Sequence, residues 1–191
     1  VSSDGNTYDQ DKILENGELQ REVEVKDKNN RVAFSSYVNH KFNAKNMLRV
    51  GMLTQYFNLN LQNRDRTQTP DWITVRNFSG GLALSELYAQ WQYRISNRWT
   101  LNSGVHTQLL TSNKTWAAEP RIALNWQVAP NQTINLGYGL HSQMQPLPVY
   151  FYETQLPDGT FERTNAKLNF TRSQHLVAGY EIKPATDWRA K

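Results

Sequence analysis

The residue pair best suited to covalent chemistry is His141-Ser142, because an imidazole can act as a general base toward a serine hydroxyl. Both residues lie in a segment that alternates apolar and polar side chains, which predicts a β-strand. Neighbouring side chains of a strand point to opposite faces, so His141 cannot easily reach the hydroxyl of Ser142. The sequence also offers no identifiable third residue to orient the imidazole. We therefore predict no catalytic residues and no enzymatic activity.

Metal binding is the second chemistry to consider. The chain has no cysteine, so its four histidines would have to provide the nitrogen ligands of a transition-metal site. The spacing of His40, His106, His141 and His175 fits no metal-binding motif. We predict neither a metal site nor a cofactor.

Four polar side chains are predicted to line the polar face of a strand wall. Glu119 and Arg121 are two residues apart, so that on a strand they would share one face and could form an ion pair. Arg94 and His106 occupy the polar positions of other alternating segments. A wall contact is the expected role of all four residues.

The composition excludes several classes of protein. Among the 191 residues, 21 Lys and Arg stand against 17 Asp and Glu, which gives a formal net charge of +4. The basic residues occur singly, whereas nucleic-acid binding requires a clustered basic face, so nucleic acid is not a predicted partner. Charged residues make up 20% and apolar residues 38%, and no run of about 18 apolar residues could form a membrane-spanning helix. A chain low in both kinds of residue is unusual for a soluble domain.

A period of two dominates the chain and predicts strands. Trp99, Leu101 and Val105, for example, alternate with polar residues that include Asn102 and His106. The apolar residues change parity at Phe57, as they would at a bulge or a strand end. Seven strands are predicted, near residues 31–42, 47–61, 82–95, 99–110, 120–128, 133–141 and 169–182.

The connections between these strands favour a membrane barrel. Short connections near 43–46, 96–98, 129–132 and 183–187 alternate strictly with long polar ones near 62–81, 111–119 and 142–167. This pattern is typical of transmembrane β-barrels, which have short periplasmic turns, long extracellular loops and strands with one face on lipid.

We therefore predict an all-β, antiparallel up-and-down meander of about seven strands. Residues 30–191 would form part of a larger transmembrane barrel, and the acidic residues 1–29 would be the remnant of an extracellular loop. A soluble β-sandwich or lipocalin-like barrel fits less well. Its outer face should be rich in Lys and Glu, whereas the polar positions here are mostly Asn, Gln, Ser, Thr and Gly.

The aromatic residues fall into two groups. The first lies beside the short connections, as an interfacial aromatic girdle requires, and comprises Phe42, Tyr93, Trp99, Trp126 and Trp188. The second falls in predicted outer loops, where flat rings could stack on a bound solute or on other loops, and comprises Trp72, Trp116, Tyr150, Phe151 and Tyr152. Together with His141, this second group forms the candidate set for substrate contact.

Two longer stretches resemble a known family. SGGLALSELYAQWQYRISNRWTLNSGVHTQLL (79–110) and EPRIALNWQVAPNQTINLGYGLHSQMQPLPVYF (119–151) resemble the barrel of TonB-dependent outer-membrane receptors. The likeness is greatest to the Bacteroidota branch that carries a carboxypeptidase-regulatory-like domain. In that branch a strand opening with Glu-Pro-Arg precedes a Gly-Tyr-Gly-Leu-His-Ser-Gln strand end and a proline-containing loop. SQHLVAGYEIKPATDWRAK (173–191) resembles the strand that follows.

The resemblance implies a function for the whole receptor. It implies active uptake of a scarce solute (a siderophore, cobalamin, a glycan or a peptide) across the outer membrane of a Gram-negative cell. The implied partners are outer-membrane lipid, the receptor's own plug domain and the TonB complex, and the chain is expected to be an excerpt of a longer protein. The polar wall residues would then face the lumen or the plug. The alternative is a passive porin or an adhesin barrel without energy coupling.

Overall fold

The fold is known from a computed structural model that describes residues 2–185 and 188–190. Nine strands form one antiparallel sheet in the order β1-β2-β3-β4-β5-β6-β7-β10-β11, and β8 and β9 form a small separate hairpin. The predicted all-β antiparallel meander is therefore confirmed. The elements are β1 (Ser2–Ile13), β2 (Leu19–Lys41), β3 (Asn46–Asp65), β4 (Ile73–Arg94), β5 (Trp99–Leu110), β6 (Thr115–Ala129), β7 (Gln132–Gln143), α1 (Leu147–Tyr150), β8 (Thr154–Gln155), β9 (Phe161–Glu162), β10 (Thr171–Ala185) and β11 (Trp188–Ala190).

The sheet has a turn end and a loop end. The turn end holds the tight connections 42–45, 95–98 and 130–131, and the loop end holds the connections 14–18, 66–72, 111–114 and 144–170. We call residues 144–170 the cap segment. Among the described residues, no helix is long and apolar enough to cross a membrane.

Strands occur at all seven predicted positions, but several reach further toward the loop end than predicted. β3 and β4 remain paired as far as Asp65 and Ile73, so that most of the predicted loop 62–81 is strand. The predicted loop 111–119 shrinks to residues 111–114 because β6 already begins at Thr115. Polarity misled the prediction here, since the hydrogen bonds that hold a strand come from the backbone and do not require apolar side chains.

The acidic segment 1–29 contains β1 and the first part of β2. β1 pairs with the first half of β2, from Ser2 opposite Arg31 to Ile13 opposite Leu19. Arg21 supports this hairpin through contacts of 2.8 Å to Asp9 and 3.0 Å to Asp11. Cross-strand charge pairs thus take the place of the apolar alternation that would have revealed these strands.

The expectation of a bulge or strand end at Phe57 is wrong. Phe57 pairs with Leu82 and Leu59 pairs with Gly80 without interruption, and the register between β3 and β4 shifts only at Asn63/Arg64. The change of parity therefore reflects a change in what each face of the sheet contacts. Near the loop end, apolar side chains move to the face that is polar elsewhere.

The two faces of the sheet differ sharply in chemistry. The apolar face remains open, and Val105, Leu109, Ile122, Leu136 and Leu176 on it are between 41% and 82% exposed. The opposite face, which we call the polar face, carries hydrogen-bonded amides near the turn end. There Gln92 donates to Asn102 (3.3 Å) and Asn125 donates to Asn135 (2.6 Å).

At the loop end, the polar face gives way to an apolar cluster beneath the cap segment. The sheet supplies Phe57, Leu59, Leu61, Leu82, Leu84, Leu110 and Ala117, and the cap segment supplies Leu147, Tyr150, Phe151 and Phe170. Leu110 and Ala117 are completely buried. The buried core of the chain thus lies between the cap segment and the sheet.

Candidate functional site

A hydrogen-bonded network of charged side chains crosses the middle of the polar face. His106 of β5 lies opposite Glu119 of β6, with Nδ1 at 3.1 Å from Oε2 of Glu119. Its Nε2 lies 3.0 Å from Oε2 of Glu86 on β4. Both ring nitrogens therefore face carboxylates, and a protonated imidazole donates to both of them. The network joins three adjacent strands through one side chain.

Glu119 is the most buried member of this network, with a residue exposure of 1%. Its Oε2 also accepts a hydrogen bond from the Arg121 guanidinium at 2.5 Å. Its Oε1 accepts from the Gln108 amide at 2.5 Å and from the backbone N–H of Ser142 at 2.9 Å. A buried carboxylate requires such partners, because an unpaired one would cost several kcal/mol of desolvation.

The network continues toward β3 and β2 through neutral and basic side chains. Gln55 donates to Oε1 of Glu86 at 3.2 Å, and Arg31 donates to the amide oxygen of Gln55 at 3.5 Å. The whole set thus spans from β2 to the end of β7. This arrangement can hold adjacent strands together and present charge on the polar face.

Of the predicted wall residues, Arg121 and Arg94 lie at the more open positions. The Arg121 side chain is 44% exposed, although its guanidinium is paired with Glu119. Arg94 is exposed on the polar face near the turn end, where it lies opposite Thr100. All four predicted wall residues lie on the same face of the sheet.

His141 lies on the polar face beside a second histidine. The rings of His141 and His175 meet edge to face with centroids 4.5 Å apart, and Nε2 of His175 lies 3.0 Å from the hydroxyl of Ser173. Among the described residues, no group of three or more His, Cys, Asp or Glu side chains could hold a metal ion.

The aromatic candidates separate into different environments. Trp72 is half-buried in the 66–72 connection, and its ring centroid lies 5.1 Å from Cζ of Arg64 and 4.7 Å from Cζ of Arg66. Trp116 lies in β6 instead of the predicted loop. It faces away from the network, opposite Leu109 on the apolar face, and is 66% exposed.

The three aromatics of the cap segment are also unlike one another. Tyr150 and Phe151 are buried in the apolar cluster, where Phe151 stacks on Phe78 with ring centroids 3.7 Å apart. A solute cannot reach these two rings while the cap segment is seated. Tyr152 is exposed and remains accessible.

Sequence reasoning missed two residues of this network, Glu86 and Gln108, and considered His175 only as a possible metal ligand. Glu86 and Gln108 are direct cross-strand neighbours, and Gln108 lies two residues from His106 on the same strand. The signal was present in the shared parity, but parity alone does not reveal which strands lie opposite each other or in what register.

Comparisons with known proteins agree with this two-faced sheet. The family model described as TonB dependent receptor-like, beta-barrel matches residues 2–189. Searches of curated proteins and of solved structures returned no match. Because the family model covers nearly the whole chain, the chain belongs to the TonB-dependent receptor β-barrel family.

Proposed function

We propose that this chain forms part of the wall of an outer-membrane receptor that takes up a scarce solute actively. Receptors of this family are outer-membrane transporters and not enzymes. In this proposal, the TonB complex acts through the receptor's plug domain, and the solute is a siderophore, cobalamin, a glycan or a peptide. The motifs Glu-Pro-Arg (119–121) and Gly-Tyr-Gly-Leu-His-Ser-Gln (137–143) support a receptor of the Bacteroidota type.

The apolar face carries the proposal, because it has the dimensions of a bilayer contact. Trp116 and Trp126 lie on this face of β6, ten residues apart. Ten residues at about 3.3 Å each, on a strand tilted by about 40°, rise about 25 Å. This is the height of the apolar band of outer-membrane barrels, which aromatic girdles border on both sides.

The residues between the two tryptophans support the same conclusion. The apolar-face residues of β5 from Trp99 to Leu109, and of β6 from Trp116 to Trp126, include no Asp, Glu, Lys or Arg. Exposure of such a broad apolar surface to water is energetically unfavourable, whereas contact with lipid chains is not. Outer-membrane lipid is therefore the partner that we assign to this face.

The polar face then lines the interior of the barrel. We assign Arg94, His106, Glu119 and Arg121 to the lumen wall, where the plug domain is their expected contact. We retain Trp72, Tyr152 and His141 as candidates for contact with the solute, because Trp116, although 66% exposed, lies on the apolar face. Tyr150 and Phe151 would join them only if the cap segment moved.

An uptake experiment with the complete receptor tests the energy coupling. Cells that express it, with and without a functional TonB complex, would be given labelled probes: a ferric siderophore, cyanocobalamin, an oligosaccharide and a peptide. We expect one probe to accumulate only when the TonB complex is present. Equal entry of every probe in both strains would contradict active uptake and favour the passive porin.

A further inference from the structure

The ladder between β6 and β7 stops short of the loop end. It runs from Ala129 opposite Gln132 to Arg121 opposite Gly139, although β6 continues up to Thr115 and β7 continues to Gln143. On its other side, β7 remains paired with β10 as far as Gln143 opposite Thr171. The upper parts of β7 and β10 therefore stay together while they separate from β6. We call this separation the seam.

Pro120 explains where the seam begins. The N–H of Gln127 donates to the carbonyl of Arg98 on the β5 side, so even-numbered residues of β6 direct their N–H groups toward β7. Pro120 is even-numbered, lies one position above the last pair, and has no N–H to donate. The backbone ladder thus lacks a donor at the point where the strands part.

Side chains replace the missing ladder at Ser142. The backbone N–H of Ser142 donates to Oε1 of Glu119 at 2.9 Å, and its carbonyl accepts from Nε2 of Gln108 at 2.9 Å. In an antiparallel ladder one partner residue would satisfy both groups. Here a carboxylate of β6 and an amide of β5 do so together. Both are buried, with residue exposures of 1% for Glu119 and 8% for Gln108.

Ser142 lies two residues before the cap segment, which begins at residue 144. We propose that the seam is a hinge, and that Glu119 and Gln108 are positioning residues that act as a clasp on Ser142 and hold the cap segment against the sheet. Release of the clasp lets the cap segment lift from Leu59, Leu110 and Ala117, and so opens an apolar surface inside the wall. This inference does not depend on the identity of the solute or on energy coupling.

This chain contains no cysteine, so a single cysteine can be introduced at a chosen position once any cysteines elsewhere in the complete receptor have been replaced by serine. Ala117 is completely buried beneath the cap segment, so Ala117→Cys in the complete receptor should react slowly with a water-soluble maleimide. Adding Glu119→Ala should raise the labelling rate about tenfold or more, as loss of hydrogen bonds to a charged group allows. Restoring a backbone donor with Pro120→Ala should reduce this rise.

Two further variants keep the test decisive. Glu86→Ala removes the other carboxylate that faces His106 but does not touch Ser142, so it should leave the labelling rate unchanged. Gln108→Leu removes the hydrogen bonds to the Ser142 carbonyl and to Glu119, so it should raise the labelling rate less than Glu119→Ala does. It also provides the test if the Glu119→Ala variant does not fold. An unchanged rate in both clasp variants, or an equal rise with Glu86→Ala, would overturn the proposal.

Discussion

On the polar face, the same strands carry hydrogen-bonded polar side chains near the turn end and buried apolar side chains near the loop end. Near the turn end, Asn125 and Asn135 hydrogen-bond to each other on a face that remains open. Near the loop end, the same face of β3 and β5 presents Leu59 and Leu110 to the cap segment, and both residues are buried. β3 and β4 remain paired with each other through this change.

The difference shows that one face of a strand need not keep the same polarity along its whole length. A face that meets water needs side chains that water can solvate. A face that meets a folded segment can instead bury apolar groups, which stabilises the fold by about 25 cal/mol per Å² of apolar surface removed from water. What covers each stretch therefore decides its composition. The charged network of Glu86, His106 and Glu119 lies at the boundary between the two regimes.

The largest expected effect comes from emptying the apolar cluster at the loop end. Leu110→Ala should lower the free energy of unfolding by about 2–5 kcal/mol, because a completely buried leucine leaves a cavity. Its neighbour Leu109 faces the other way and is 43% exposed, so Leu109→Ala should cost clearly less. Urea unfolding of the complete receptor in lipid vesicles measures both. If both variants lost the same free energy of unfolding, the packed core would not be confined to the face that carries Leu110.

A charge on the apolar face should have the next largest effect. Val105→Arg should destabilise the receptor in lipid by about 2–4 kcal/mol, since Val105 lies near the middle of the apolar band. Asn102→Arg on the polar face of the same strand is the matched control and should cost clearly less, because it loses only the hydrogen bond that Gln92 donates to Asn102. The same unfolding assay applies. A neutral Val105→Arg would show that this face does not contact lipid.

Overpacking on the polar face should have a smaller effect. A Cβ at Gly51 would lie 2.5 Å from Cζ of Tyr88 and 2.8 Å from Cβ of Tyr37, so Gly51→Ala should cost about 1–3 kcal/mol. At Gly137 the nearest atom would lie 3.8 Å away, and Gly137→Ala should therefore be tolerated. Thermal unfolding distinguishes the two variants. If both variants are equally stable, Tyr37 and Tyr88 leave enough space for a Cβ at position 51.

The smallest effect concerns the tip of the cap segment, outside the membrane band. Hydrogen bonds from the hydroxyl and N–H of Thr160 lower the pKa of Asp158. A carboxyl group with a lowered folded-state pKa stabilises the fold above its unfolded pKa of about 3.9, and this contribution is lost as the pH falls through the folded-state value.

Hydrogen exchange at the Thr160 amide should therefore become faster in acid than the intrinsic rate predicts. Asp158→Asn keeps an acceptor oxygen but cannot titrate, and should remove this pH dependence. A pH dependence that persists in Asp158→Asn would show that another group is responsible.

Much of the wall could be read from the sequence. The alternation of Leu101 and Val105 with Asn102 and His106 follows directly from the two-residue period of a strand, and so does the shared face of Glu119 and Arg121. The tight turns were visible because such turns interrupt the alternation within a few residues. These features depend on local geometry, which neighbouring residues determine by themselves.

The rest depended on what lies opposite each strand. No local pattern predicts that Glu86 contacts His106. The hydrogen bonds of Gln108 and Glu119 to the backbone of Ser142 are equally hidden, because both sets of contacts depend on the register between strands. The burial of Tyr150 and Phe151 likewise required the cap segment to fold back onto the sheet.

The sequence by itself thus determined strands, turns and two faces, since side-chain alternation is a property of a single strand. Only the tertiary structure decided where the polar face becomes a core and where β6 parts from β7, because distant segments must meet before their side chains can be buried or paired.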